Sequence, residues 1–272
     1  MKKMCEVLEV SRSGYYAWKG RTKSPRQEQN EQLLTRIRQI HTGSHRTYGS
    51  PRIHAQLKRS GIRCGHNRIA GLMRRNGILA QRQLRYRRQS ITAHGRSFAE
   101  NLLNRQFLVK KPNAIWAADI TSFWTGSGWL HLAVVMDLYS RKIIGWAMQG
   151  RMTDQLVIDA LEMALMSRHP QGPLLHHSDQ GSQYASETFR HRLMSNKIQC
   201  SMSRKGNCHD NAVVESFFKT LKIEWTSERR FTTRDEARSS LFEFIEVFYN
   251  RVRLHSTLGY TSPAEYERVN VS

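Results

Sequence analysis

The sequence predicts an α/β domain, a mixed five-stranded sheet flanked by helices, preceded by an all-α region organised as a helix-turn-helix. Three observations predict it. Residues 1–111 hold 25 of the 43 Lys/Arg but only 5 of the 22 Asp/Glu, so nearly all of the +21 net charge sits ahead of an almost neutral remainder. Apolar residues in the basic part recur at helical spacing, and in the neutral part three strand-like runs come first, followed by alternating helix and strand patterns. With 272 residues and 39% hydrophobic content the chain is long enough for two domains, each with its own core.

The basic region covers residues 1–88. Lys2 to Val10 reads as a short helix, and Ser11 or Ser13 caps a second one through Trp18. A helix over about 26–41 carries Leu33, Leu34, Ile37 and Ile40 on one side. Tyr48-Gly-Ser-Pro51 opens another, with proline in its first turn, and Gly61 stops it. The third, about His66 to Asn76, turns Ile69, Leu72 and Met73 inward and Arg68, Arg74 and Arg75 outward. Two short helices around a glycine-containing turn, the second bearing arginines, suit a motif that lays its last helix in a DNA major groove. Arg85, Arg87 and Arg88, in the run Arg82-Gln-Leu-Arg-Tyr-Arg-Arg88, add charge that neutralises phosphates without reading sequence. His41 and His45 have the spacing of a zinc-binding pair, but a lone Cys64 follows where a structural site needs four ligands.

Residues 89–111 read as a linker and 112–272 as the second domain. Ile115 to Trp124 and Trp129 to Met136 flank Gly126-Ser-Gly128, a pattern of alternation and turn residues that predicts a hairpin. Arg141 to Met148 is a third strand. A helix over Thr153 to Ser167, a short strand from Leu174, a helix over about 186–195, a strand over Ile198 to Met202 and a helix from Asn211 follow. Helices over Arg234 to Asn250 and Pro263 to Arg268 close the chain. This is the order of a ribonuclease-H-like fold. Trp116, Trp124, Trp129 and Trp146 read as sheet packing. Of His176 and His177, adjacent on one strand, one is expected in the core and one nearer Asp179.

Three acids stand beside buried-looking segments: Asp119 in the first strand, Asp179 after Leu174-Leu-His-His-Ser, and Glu215 on the helix after Asn211. A mid-sheet aspartate is costly unless paired or metal-bound. Carboxylates from different elements can meet to hold divalent metal, and two magnesium ions so held align an attacking oxygen at a phosphodiester. Glu215, Lys219 and Lys222 share one helix face at i, i+4 and i+7, which by itself equally describes a solvated face. Asp137 is expected to cap a turn, and Asp210 or Asn211 the start of the helix that carries Glu215. Four cysteines without a C-x-x-C, no apolar run of membrane-spanning length and no signal-peptide core point to the cytoplasm, with no membrane partner.

Several segments match one family together: Trp116-Ala-Ala-Asp119-Ile-Thr121, His177-Ser-Asp179-Gln-Gly-Ser-Gln-Tyr184, Ser203-Arg-Lys-Gly206-Asn-Cys-His-Asp210-Asn-Ala212, Glu215-Ser-Phe-Phe-Lys219-Thr-Leu-Lys222 and Tyr249-Asn-Arg-Val-Arg-Leu-His255. Thirty-five residues separate Asp179 from Glu215, and Lys222 lies seven beyond it. The second domain resembles the catalytic core of the retroviral-integrase superfamily. The whole chain resembles the orfB-type transposases of the insertion-sequence-three family. The resemblance implies a DNA transposase of a bacterial insertion sequence, a DDE enzyme whose Asp119, Asp179 and Glu215 hold two Mg2+ (or Mn2+) ions for strand cleavage and strand transfer by phosphodiester transesterification. It also implies that Lys222 contacts DNA near the scissile phosphate. Implied partners are double-stranded DNA, at element ends and target, an upstream orfA product or an orfA–orfB fusion, and further copies of the chain on the DNA. The implied location is the bacterial nucleoid. A ribonuclease-H-like nuclease that hydrolyses without joining, and a helix-turn-helix regulator with an inactive second domain, are the alternative readings.

Overall fold

The computed structural model describes residues 1–80, 98–204 and 208–270, apart from the side chains of residues 208 and 209. It divides into two compact units, Met1–Ala80 and Gln81–Ser272. The first is helical: α1 (Lys2–Val7), α2 (Arg12–Lys19), α3 (Pro25–Gly43), α4 (Ser50–Arg59) and α5 (His66–Arg75). Ser11 caps α2 by accepting the Gly14 N–H at 3.0 Å, and Ser24 with Pro25 starts α3. Leu33 and Ile37 of α3 share a core with Ile53 and Leu57 of α4 and with Ile69, Leu72 and Met73 of α5. After α4 the chain turns at Gly61, whose φ of +77° lies in the left-handed region that glycine tolerates. Cys64 and the histidines are not gathered: His41 Nε2 lies 3.1 Å from the Leu79 carbonyl oxygen, and His54 Nε2 lies 3.1 Å from that of Cys64.

The second unit holds β1 (Ile115–Thr125), β2 (Gly128–Asp137), β3 (Ile143–Gln149), α6 (Asp154–Arg168), β4 (Leu174–Ser178), α7 (Glu187–Ser195) and β5 (Ile198–Met202). Its strands lie in the order β3-β2-β1-β4-β5. The first three are antiparallel, and β4 and β5 join parallel to β1. One face carries Trp116, Ala118, Ala133 and Val135 and is buried under α6 and α7 through Leu156, Val157, Leu161, Phe189 and Leu193. α6 lies so close to β3 that a Cβ on Gly145 would meet the Ala160 carbonyl oxygen at 2.2 Å. This contact explains the glycine inside a strand.

Against the sheet packs α8 (Ala212–Leu221), entered through a 3-10 turn over Cys208–Asn211 and continued by a π-helical segment over Lys222–Thr226. The long helix expected over 234–250 is likewise α9 (Arg234–Phe242) followed by a π-helical segment, Glu243–Tyr249. Both widened turns coincide with an aromatic seam in which Trp225 stacks on Phe248 and packs against Phe244. A 3-10 turn over Ser256–Leu258 and α10 (Pro263–Asn270) complete the unit.

Two polar locks hold the C-terminal segment. Asn250 accepts the Ile143 N–H at 3.0 Å and returns a bond to the Ile143 carbonyl at 2.9 Å. Arg253, 4% exposed, forks onto both carboxylate oxygens of Glu224 at 2.6 and 2.7 Å. The later part of the segment that reads as a linker is built into this unit. Leu103 is buried, the Leu102 N–H reaches Ser201 Oγ at 3.0 Å, and the Met202 N–H reaches the Glu100 carbonyl at 3.3 Å.

Candidate active site

β1 and β4 pair in parallel only as far as Ala117 opposite His177. Beyond that point the strands part, leaving the kind of crevice at the carboxyl ends of strands where open α/β sheets place ligand groups. Asp119 lies two residues past Ala117, and Asp179 two residues past His177, directly after β4. Strand alternation puts Asp119 on the face of Ala117, Thr121 and Phe123, away from the α6 layer.

The third acid arrives on α8. Asn211 Nδ2 donates to the Ala118 carbonyl at 3.0 Å, where β1 no longer pairs with β4, so α8 starts beside Asp119. Glu215, half-buried, follows Asn211 by about one helical turn. The turn ahead of α8 is itself fixed. The buried Asp210 carboxylate accepts from Arg204 through its backbone N–H, Nε and Nη2, from Arg105 Nε at 3.0 Å and from Asn101 Nδ2 at 2.8 Å. The Arg204 hydrogen bonds, seconded by Arg105, hold this carboxyl far below the usual carboxylate range.

Asp179 accepts the Gly181 N–H at 3.0 Å, and a Cβ on Gly181 would press against that oxygen at 2.9 Å. Although its side chain opens to solvent, the protein packed around it raises its pKa. The negative charge of Glu215 raises it further, against the Gly181 bond. Tyr184, fully buried beside His176 and Phe189, has its phenol pushed well up by burial and then by the charges of Asp119 and Asp179. Asp179 thus feels Glu215, and Tyr184 feels both aspartates. Among the described residues, no three His, Cys, Asp or Glu side chains are drawn into a metal-holding group. The donor set nonetheless suits a hard divalent ion, because carboxylate oxygens are its preferred ligands and a cation there would offset the charge of Glu215 felt at Asp179.

Lys219 is exposed on α8, and Lys222, at the α8 junction, places Nζ 5.9 Å from the centre of the Phe123 ring on the Asp119 face of β1. Both histidines of β4 are buried, contrary to the expectation that one approaches the site. His176 packs among Tyr184 and Phe189, and burial drops its pKa to about 3. His177 lies between Ser201 Oγ and Ser203 Oγ at 2.9 and 3.2 Å, with its pKa lowered to about 4 by burial. Asp137 accepts the N–H groups of Asn113 and Tyr139, as a turn-capping residue does. Asn211 stands at the N-cap of α8 as expected, but its side chain makes no capping bond; the side chains of Asp210 and Asn211 instead tie the helix start to Arg204, Arg105 and β1.

In the first unit Arg74 and Arg75 are exposed at the end of α5. Arg68 turns inward, contrary to expectation, and its Nε donates to Asn30 Oδ1 of α3 at 2.8 Å. Arg85, Arg87 and Arg88 lie outside the described residues, as do the Lys205-Gly206-Asn207 positions of the motif before α8. Sequence reasoning missed Tyr184 and the docking role of Asn211. The Asp210-Asn211 pair ahead of an apolar helix was the available signal for the latter, but it read as a helix cap.

The chain matches an HTH-like domain over residues 28–87 and an integrase core domain over 109–208, with a second integrase core match over 196–263. It is 44% identical to a 31 kDa protein of insertion element IS600 from Shigella sonnei, over 97% of each chain. It is 42% identical to the transposase InsF for insertion sequence IS3A of Escherichia coli (strain K12), over 100% of this chain and 95% of that one. A simian T-cell lymphotropic virus intasome structure is similar over 85% of this chain and 73% of the other, at 18% identity and a TM-score of 0.49. By these full-length matches, the chain belongs to the IS3 family of insertion-sequence transposases, enzymes with an integrase core domain.

Proposed function

We propose that this transposase cleaves one strand at each end of its element and joins the freed 3′ hydroxyl to a second phosphodiester, using Asp119, Asp179 and Glu215 to hold two Mg2+ (or Mn2+) ions. The observation that carries this reading is the Asn211–Ala118 bond. It seats the helix bearing Glu215 on β1 beside Asp119, at the crevice where Asp179 leaves β4. When bound, such ions stabilise both the attacking and the leaving oxygen of an in-line displacement.

The chain's own residues supply the rest. Asp210, with its arginines, and Asn211 hold Glu215 in place. The Gly181 N–H orients the Asp179 carboxylate, and Tyr184 walls the site against the core. Lys219 and Lys222, on the Glu215 side of the crevice, attract the DNA strand, with Lys222 nearer the reacting phosphate. Arg74 and Arg75 neutralise phosphates of the bound end, joined in this role by Arg85, Arg87 and Arg88. Arg68 contributes through packing on α3.

The partners are double-stranded DNA, an orfA product or orfA–orfB fusion, and further copies of this chain assembled on DNA. The place of action is the cytoplasm, at the nucleoid, and no helix among the described residues is long and apolar enough to cross a membrane. The test incubates the purified chain, with and without the orfA product, with labelled element ends and Mg2+. Joined products are expected from wild type and none from Asp179→Asn at undiminished DNA retention. Cleavage without joining, or DNA retention lost together with activity, would contradict the reading.

A further inference from the structure

The β1–β2 hairpin ends in two tryptophans that no part of the core covers. Trp124 is 64% exposed and Trp129 50%, against 0% for Trp116 on the same sheet. They are cross-strand partners, with ring centres 5.1 Å apart in edge-to-face contact. Trp129 stacks in turn on His131, whose Nδ1 lies 2.7 Å from Ser122 Oγ. The expectation that all four tryptophans of the sheet serve packing fails for these two.

The tip is also rigid. Thr125 bridges to Phe231, the Gly126 N–H donates to the Phe231 carbonyl at 3.0 Å, and Thr125 Oγ1 closes the turn onto the Gly128 carbonyl at 2.7 Å. A Cβ on Gly126 would meet the Thr232 carbonyl oxygen at 2.6 Å, so the glycine is what lets the two segments touch. Arg234 Nε donates to the Trp129 carbonyl at 3.0 Å. The neighbouring acids are engaged elsewhere: Glu236 accepts the Thr232 N–H and Asp235 pairs with Arg238. Exposed Arg151, two residues beyond the position paired with His131, and exposed Arg230, next to Phe231, leave the surroundings cationic.

A pinned pair of exposed indoles ringed by arginines fits a polyanion that offers flat faces. We infer that Trp124 and Trp129 form a stacking platform for unpaired bases of the DNA that this enzyme processes. Trp124 lies five residues beyond Asp119 on one strand, about 17 Å along it at roughly 3.4 Å per residue, and by alternation on the opposite face of the sheet, so the platform is separate from the three-acid site. The inference rests on the DNA-processing reading but not on the three acids, so binding is measured without divalent metal.

The experiment titrates the full chain, in EDTA, into a fluorescent oligothymidine of about a dozen nucleotides and into a blunt duplex, reading anisotropy across a salt series. Circular dichroism melting verifies the fold of each variant. Replacing both residues, Trp124→Ala with Trp129→Ala, is expected to weaken oligothymidine binding by about 5- to 150-fold with an unchanged salt slope. Duplex affinity should stay within about twofold. Trp124→Phe with Trp129→Phe should recover most of the loss, since an aromatic face remains. Oligothymidine affinity within about twofold of wild type would overturn the inference. So would a double variant that sediments with fewer copies than wild type at unchanged oligothymidine affinity, which would make the tip a contact between copies of this chain. Asp179→Asn should leave this binding intact, so failure here and failure of the three-acid site are read separately.

Discussion

Asn211→Ala removes the side-chain bond that ties the start of α8 to β1. The Ala118 carbonyl that accepts it is buried, and losing a partner for such a group costs about 1–3 kcal/mol. Asn211 Oδ1 has no hydrogen-bond partner among the described residues, so the substitution also relieves an unsatisfied atom. The net loss therefore sits at the low end, about 1–1.5 kcal/mol. For a chain of this size that lowers the melting temperature by roughly 2–6 °C. The effect on strand joining should be far larger, because Glu215 is one turn away and a displacement of about 1 Å at a reacting centre can cost about a hundredfold. Thermal melting and joining assays on the same preparation separate the two effects. Asn211→Asp provides the control: its carboxylate cannot donate to the Ala118 carbonyl and should fail in the same way. A stable Asn211→Ala protein that joins strands at the wild-type rate would refute the assignment of this bond as the device that positions Glu215.

Three further outcomes follow from other contacts. Because Arg204 and Arg105 hold Asp210 far below the ordinary carboxylate range, its stabilisation is fully present above about pH 4 and is lost as pH falls further. Asp210→Asn should thus lower stability by about 1.5–3 kcal/mol at neutral pH and flatten the acid limb of the pH–stability curve, as read by denaturant melts; an unchanged acid limb would count against it. Glu224→Gln leaves the buried Arg253 guanidinium without its carboxylate and should cost about 3–5 kcal/mol, whereas a loss below about 1 kcal/mol would show the pair to be well solvated. Arg74→Ala and Arg75→Ala should each reduce the slope of log affinity against log salt for duplex DNA by about one; unchanged slopes would remove α5 from the phosphate contacts.

Element order and type were largely legible because local signals agreed with the global arrangement. Alternating apolar runs around Gly126-Ser-Gly128 announced the hairpin, and Pro51 announced the start of α4. The register that brings Asp119 and Asp179 to the same crevice depends on β4 stopping its pairing at His177, which no local spacing encodes. Arg68 was misread because helical periodicity places a residue on a face but does not say whether a polar partner such as Asn30 waits across the interface. The two π-helical segments were hidden for a similar reason, since they accompany aromatic packing between segments distant in sequence. Trp124 and Trp129 alternate like core residues, yet they sit where the hairpin runs past its covering helix. A strand pattern tells which face a residue is on, but not whether that face is covered.

The central claim, that three acids from β1, the end of β4 and α8 share divalent ions, is tested most directly by counting bound Mn2+ by electron paramagnetic resonance on the full chain with element-end DNA. Two bound ions per active site are expected in the wild type. Asp119→Asn, Asp179→Asn and Glu215→Gln should each reduce that count while DNA stays bound. Wild-type Mn2+ occupancy in all three variants would contradict the account.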